Sequence, residues 1–222
     1  MNVMIYMLVL ALSMFSIYIF KKILGNFGLK IVFILMNIIS FILTFKYIAL
    51  TSISLNANSI TYVTMLSTLY LILDNTSKEN ARKVSNESFI ISIFFAIMLY
   101  LMNYHTQSIT DNISINMKNI YEANPIILIT YPIIVLLSNH LLIIVYEKIK
   151  KLYDNMFITT VTTFMLIGII EGILYTTLSY YNILTLKTII QLILSTYMIK
   201  LILTVIYSIY LMFINKKKVS HE

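Results

Sequence analysis

NPIILITYPIIVLLSNHLLIIVYEKIKK, residues 124–151, decides the fold. From Pro125 to Tyr146 it is apolar almost throughout, broken only by Ser138-Asn139-His140, and it ends on Lys148, Lys150 and Lys151. A helix needs around 20 mainly apolar residues to cross the hydrocarbon core of a bilayer. A spanning backbone must also close its hydrogen bonds internally, which leaves helices and closed barrels. A barrel strand would alternate in polarity and turn often. This stretch instead runs Ile126-Ile127-Leu128-Ile129, and the whole chain holds four glycines and two prolines.

Further stretches of the same kind lie on either side: Val3–Phe20, Phe27–Leu50, Ser59–Leu73, Ser88–Met102, Met156–Leu178 and Thr188–Ile214. The third and fourth spans in chain order, Ser59–Leu73 and Ser88–Met102, are short and either extend into their flanks or sit shallow. Composition agrees. Of 222 residues 59% are hydrophobic and only 11% charged, against about a quarter charged in soluble domains. Collagen, coiled coil and disordered tail are excluded on composition, and the absence of cysteine excludes a disulfide-framed module. The expectation is one integral membrane domain over residues 1–222, an all-α bundle of seven transmembrane helices.

The net charge of +7 would indicate nucleic acid if the basic residues shared a face. They cluster between the apolar runs instead, so no nucleic-acid partner is expected. Lys21 and Lys22 follow the first span, Lys78, Arg82 and Lys83 the third, Lys148, Lys150 and Lys151 the fifth, and Lys216, Lys217 and Lys218 the last. The alternate connections hold only Lys118 and Lys187. Cytoplasmic loops carry the lysine excess, so the N-terminus is expected outside and the C-terminus in the cytoplasm. The first span has no positive residue ahead of it and no cleavage site behind it, and reads as retained. The one long connection, Asn103 to Asn124, carries His105, Asp111, Lys118 and Glu122 and is expected outside.

Charges within spans are informative because each costs roughly 2.5–3.5 kcal/mol at the helix centre. There are four: Lys30, Lys46, Glu171 and Lys200. Lys30 lies one turn from a helix end and can snorkel to the interface. Lys200 is too deep to do so comfortably. Glu171 lies at a depth compatible with pairing either to Lys200 or to Lys46, as a bolt between helices or as part of a solute or proton pathway. Ser138, Asn139 and His140 form a polar patch in the fifth span. Thr159, Thr160, Thr162 and Thr163 are expected to hydrogen-bond their own helix backbone. Tyr100, Tyr104, Tyr146, Tyr153, Tyr180 and Tyr181 are expected as interfacial anchors. The chain lacks HExxH, G-x-S-x-G and the Walker lysine motif, so neither enzyme, metal nor cofactor is expected.

Five stretches together, FKKILGNFGLKIV (20–32), LDNTSKENARK (73–83), the 124–151 run, TFMLIGIIEGILY (163–175) and STYMIK (195–200), resemble in order and spacing the queuosine precursor transporter family, also called VUT or YhhQ-like. The resemblance implies a six-helix family core plus an N-terminal helix, in a bacterial cytoplasmic membrane, importing 7-deazaguanine precursors of tRNA modification. It carries over Lys46, Asp74, Pro125, Ser138, Glu171 and Lys200, with Asn139 where members have glutamine and Glu171 where they have aspartate. Tyr70, Leu142 and Tyr207 stand where members carry aspartates, Ile126 and Thr159 where they carry arginines, and Gly168 where they carry glutamine. One unmatched buried polar group costs about 1–3 kcal/mol, so the resemblance speaks for fold and ancestry more than for substrate.

The sequence reading is therefore a divergent importer of a small planar nitrogen-rich solute. Its site would be built from Glu171, Lys200, Asn139, Ser138, Lys46 and His140. The partners expected are the bilayer and the solute, and the sequence leaves open a homo-oligomer or energising subunits. Two alternatives stand beside it: a substrate-binding subunit of an ATPase-energised importer, and a non-transporting sensor or scaffold that kept the fold.

Overall fold

The computed structural model describes residues 2–50, 53–102 and 126–216. Among them are six α-helices and one two-stranded antiparallel sheet: α1 (Asn2–Leu43), β1 (Tyr47–Leu50), β2 (Ile53–Asn56), α2 (Ser59–Asn75), α3 (Lys78–Met102), α4 (Ile126–Leu152), α5 (Met156–Tyr180) and α6 (Leu186–Lys216). All but α2 are long and apolar enough to cross a membrane, which makes this a multi-pass helical protein by length and composition. His105, Asp111, Lys118, Glu122, Tyr104, Pro125, Lys217 and Lys218 lie outside the described residues.

The first two expected spans are one helix in name only. Straight, the 42 residues of α1 would measure about 63 Å at 1.5 Å per residue, twice a bilayer core. Gly25 interrupts it with φ +59° and ψ −135°, a conformation that glycine adopts without a Cβ penalty. Just beyond, a Cβ at Gly28 would collide with the Phe20 carbonyl. Eight residues of straight helix would hold those atoms about 12 Å apart, so the chain folds back sharply at the break. Both glycines are needed: one to turn the backbone, the other to let it pass.

The second arm of α1 was expected to continue to Leu50 and does not. It stops at Leu43, and Tyr47–Asn56 forms a hairpin in which Tyr47 pairs with Asn56 and Leu50 with Ile53. Two asparagines anchor it. Asn56 Nδ2 donates to the Thr44 carbonyl at 3.0 Å and Asn58 Nδ2 to Thr44 Oγ1 at 2.9 Å. At the opposite end, Lys78, Arg82 and Lys83, expected in a loop, lie in the opening turns of α3. The short fourth span thus extends into its flank.

Helix α2 is the central post. Residues 59–73 are all buried, with α1 and α6 its main neighbours and α3, α4 and α5 also touching it. Three of its hydroxyls are satisfied within the helix: Thr64 Oγ1 donates to the Ile60 carbonyl, Ser67 Oγ to Val63, and Thr68 Oγ1 to Thr64. Large apolar side chains lie exposed elsewhere, among them Met4, Leu8 and Phe15 on α1, Ile90 and Phe94 on α3, and Leu194, Met198 and Ile202 on α6. An apolar outer surface around a polar-seamed core is the arrangement a bilayer solvates.

The seams are hydrogen-bonded. Asn37 of α1 donates to Ser88 Oγ at 2.6 Å and to Ser92 Oγ at 2.8 Å on α3. Thr64 of α2 shares a 2.6 Å hydrogen bond with Tyr207 of α6. Lys30 pairs with Glu87 of α3, both side chains about a third exposed.

Candidate functional site

Helices α5 and α6 follow one another through residues 181–185 and pack closely along their length. Each contributes one charge to the core. Glu171 is 2% exposed and Lys200 4%, and the Lys200 ammonium donates to Glu171 Oε2. Of the two partners open to Glu171 from the sequence, Lys200 is the one it meets. An unpaired charge at this depth would be prohibitive, so burial and pairing come together.

A third group completes the arrangement, one that sequence reasoning missed. Tyr62 of α2, wholly buried, lays its ring beneath the Lys200 ammonium with 4.3 Å between nitrogen and centroid. Such a contact contributes about 2 kcal/mol or more when desolvated. It had no separate signal in the sequence: Tyr62 is the fourth residue of the expected span Ser59–Leu73, a position where a tyrosine reads as an interfacial anchor.

Hydrogen-bonding capacity around the pair is left unused. Among the described residues the second Glu171 oxygen accepts nothing, and the ammonium spends one of its three donors. The Tyr62 hydroxyl faces Ser138 of α4 without forming a hydrogen bond. The Tyr175 hydroxyl lies near Thr44 and Tyr180 without a close hydrogen bond, and on α4 Asn139 Oδ1 is buried without a partner. Buried polar atoms are satisfied in the great majority of cases, so the idle Glu171 oxygen and the Tyr62 hydroxyl beside the pair mark a place able to take a further polar group.

A small cavity opens beside the pair. Tyr47, Asn56, Asn58, Glu171, Tyr175, Thr176, Thr196 and Lys200 are among its walls, and it has about 10 Å³ of room, roughly one water. The hairpin covers it, and the Tyr47 ring meets Tyr180 edge-on at 6.0 Å. Burial, with Tyr180 alongside, pushes the Tyr47 phenol above its usual range and keeps it neutral.

The other end of the bundle holds a second polar cavity of about 110 Å³, lined by Tyr70, Asp74, Tyr146, Lys150, Tyr153, Asp154, Met156 and Thr159. Lys150 donates to Asp74 Oδ1 at 2.9 Å and to the Tyr146 hydroxyl at 2.8 Å, and Tyr146 donates to Asp74 at 2.7 Å. Between the two cavities lies an apolar plug. Tyr70 packs edge-on against Phe164, and Leu66, Ile167 and Leu203 are all but fully buried.

The remaining expected site residues divide. Ser138 belongs to the Glu171 neighbourhood through Tyr62, and Asn139 is buried next to it in the chain. His140 is half-buried and turned to α3, where its Nε2 meets Asn86 Oδ1 at 3.0 Å. Lys46 is exposed in the turn between α1 and β1, its backbone bonded to Leu43 and Ala57. Neither therefore joins the pair. Thr159, Thr160 and Thr163 donate to carbonyls one turn back, as expected. Tyr100, Tyr153 and Tyr181 are exposed, whereas Tyr146 and Tyr180 are buried and serve the two polar clusters rather than an interface.

Among the described residues no group of His, Cys, Asp or Glu could hold a metal ion. Compared with family models, curated proteins and solved structures, the chain matches none.

Proposed function

We propose that the chain is a transporter of the bacterial cytoplasmic membrane that imports a small, planar, nitrogen-rich solute past Glu171. The observation that carries this reading is the buried Glu171–Lys200 pair, with one carboxylate oxygen and the Tyr62 hydroxyl unspent beside it and a cavity under the hairpin bordering it. A pair that only bolts helices together has no use for spare acceptors, whereas a binding site needs them before its solute arrives. The second polar cavity at the opposite end, with the aromatic plug between, supports a route with two mouths.

The two arms of α1 counted separately with α2 to α6 make seven spans. Lys21, Lys22, Lys78, Arg82, Lys83, Lys148, Lys150 and Lys151 then gather at the end opposite the hairpin. The positive-inside rule favours that end as cytoplasmic and the hairpin end as outer. We take the chain as a divergent member of the queuosine precursor transporter family and a 7-deazaguanine as the first solute to try. Glu171 would accept from ring N–H and amino groups, with Ser138 and Asn139 offering hydroxyl and amide contacts.

The test is uptake in a bacterium lacking both precursor synthesis and its own precursor transporter. The chain is expressed, 7-cyano- or 7-aminomethyl-7-deazaguanine is supplied, and queuosine in tRNA is quantified. Queuosine that appears and then vanishes in Glu171→Ala supports the proposal. Its absence, with the protein shown in the membrane, refutes the deazaguanine.

The small volume of the cavity favours a second reading, a sensor or scaffold that kept the fold. A scaffold keeps its abundance and its cellular effect when Glu171 and Lys200 are both made apolar, whereas a transporter falls silent.

A further inference from the structure

We propose that the Glu171 site takes a small planar organic cation, and that Lys200 is a tethered stand-in occupying the site while no solute is bound. This rests on reading Glu171 as a solute site and adds the class of solute.

The Lys200 ammonium has two partners among the described residues. They are a carboxylate and the face of an aromatic ring, two groups selected for positive charge. The ring face carries the negative end of the quadrupole and repels anions. That breaks the symmetry of the ion pair: an anion replacing Glu171 would lie against an unfavourable face, while a cation replacing Lys200 inherits both contacts.

Lys200 fills this place imperfectly. An ammonium is a point charge with donors spread over a cone, and it engages one carboxylate oxygen, leaving the other idle. An amidine or guanidine presents parallel N–H groups in one plane, which can take both carboxylate oxygens at once and lie flat on Tyr62. Tyr175, whose hydroxyl lies near Thr44 and Tyr180 on the cavity wall, offers an oxygen that a further N–H could reach.

Room comes from Lys200 itself. Long side chains on a helix lean toward its N-terminus, and the N-terminal neighbour one turn along the cavity wall is Thr196. A displaced ammonium can therefore swing past Thr196 toward the hairpin end and vacate the space over Tyr62. A cationic solute would also be drawn inward by the inside-negative membrane potential, so import would need neither an ATPase nor a coupling ion.

The test uses the full chain in detergent micelles with two probes of equal shape, acetamidinium and neutral acetamide, titrated calorimetrically. Wild type should bind acetamidinium saturably and acetamide at least tenfold more weakly. Glu171→Gln should lose acetamidinium binding. Lys200→Met should bind it about tenfold or more tightly, because a stand-in present nine-tenths of the time divides the apparent affinity by ten. Should Lys200→Met fail to fold, wild type alone decides: acetamidinium should raise acylation of Lys200, read by mass spectrometry, and acetamide should not.

Equal binding of the two probes, no binding of acetamidinium, or unchanged Lys200 reactivity with acetamidinium bound would each overturn the inference. Queuosine formation from a neutral deazaguanine, with acetamidinium ignored, would overturn it while leaving the transport reading intact. Acetamidinium binding with no uptake of any solute would do the reverse.

Discussion

Removing one member of the Glu171–Lys200 pair should destabilise the protein more than removing both. In Lys200→Met the carboxylate at 2% exposure loses the ammonium that donates to it, and an orphaned buried charge costs about 3–5 kcal/mol. The same change forfeits the Tyr62 contact, so the upper half of that range is expected. Glu171→Gln keeps an amide oxygen for the ammonium to donate to and leaves the ring in place, so its cost should fall near the lower bound. In Glu171→Gln/Lys200→Met no charge remains and what stays buried is one neutral amide, at about 1–3 kcal/mol, less than the two single costs together. The cycle should therefore return a coupling of about 3 kcal/mol or more. Denaturation by SDS in mixed micelles, followed by far-ultraviolet circular dichroism and by tyrosine absorbance, measures all four proteins. The chain's lack of tryptophan makes tyrosine the useful probe. Single variants that each cost under 1 kcal/mol and add without coupling would refute the reasoning, since they would mean that water reaches both groups.

The same titration tests three further features. Gly25→Ala should lose about 1–3 kcal/mol, because φ +59° with ψ −135° lies in a region nearly confined to glycine; a neutral result would mean the break in α1 relaxes. Asn37→Ala removes two side-chain hydrogen bonds to α3 and should cost about 1–3 kcal/mol, with the accompanying Ser88→Ala/Ser92→Ala background cutting that loss. Asp74→Asn should change stability by at most about 1 kcal/mol, since Lys150 is more than half exposed and such pairs contribute little. A larger loss would show that the second cavity is drier than its exposure implies.

The helical architecture was legible because lipid imposes one requirement, long apolar runs, that hydropathy reads directly. What the runs concealed was the end of α1. Residues 47–56 are apolar enough to prolong a span, yet Asn56 and Asn58 reach back to Thr44 and turn the chain into a hairpin, a tertiary contact no local pattern announces. Glu171 and Lys200 were legible because a membrane makes buried charge costly and so makes it conspicuous. His140 and Lys46 went elsewhere for the complementary reason. A helix apolar on every side does not declare which face meets which neighbour, and α4 gave no sign that residue 140 faces α3 while residue 138 faces Tyr62.

Where the charges sit also constrains how the bundle could open. Glu171 and Lys200 lie on consecutive, closely packed helices, whereas Tyr62 lies on the buried post α2. Parting α5 from α6 would separate the ion pair, at about 3–5 kcal/mol. Moving α5 and α6 together against α2 keeps the pair and gives up the Tyr62 contact, about 2 kcal/mol, and the Thr64–Tyr207 hydrogen bond, about 1 kcal/mol. The second motion costs less, and on the transport reading it is the one the solute would use. The chain has no cysteine of its own, so introduced pairs report cleanly. A short bismaleimide joining Thr64→Cys to Tyr207→Cys, across α2 and α6, should abolish uptake. The same reagent joining Gly168→Cys to Tyr197→Cys, which touch across α5 and α6, should leave most of it. The opposite pattern would mean that the ion pair itself opens in each cycle, and that the Tyr62 face stays fixed to Lys200 throughout.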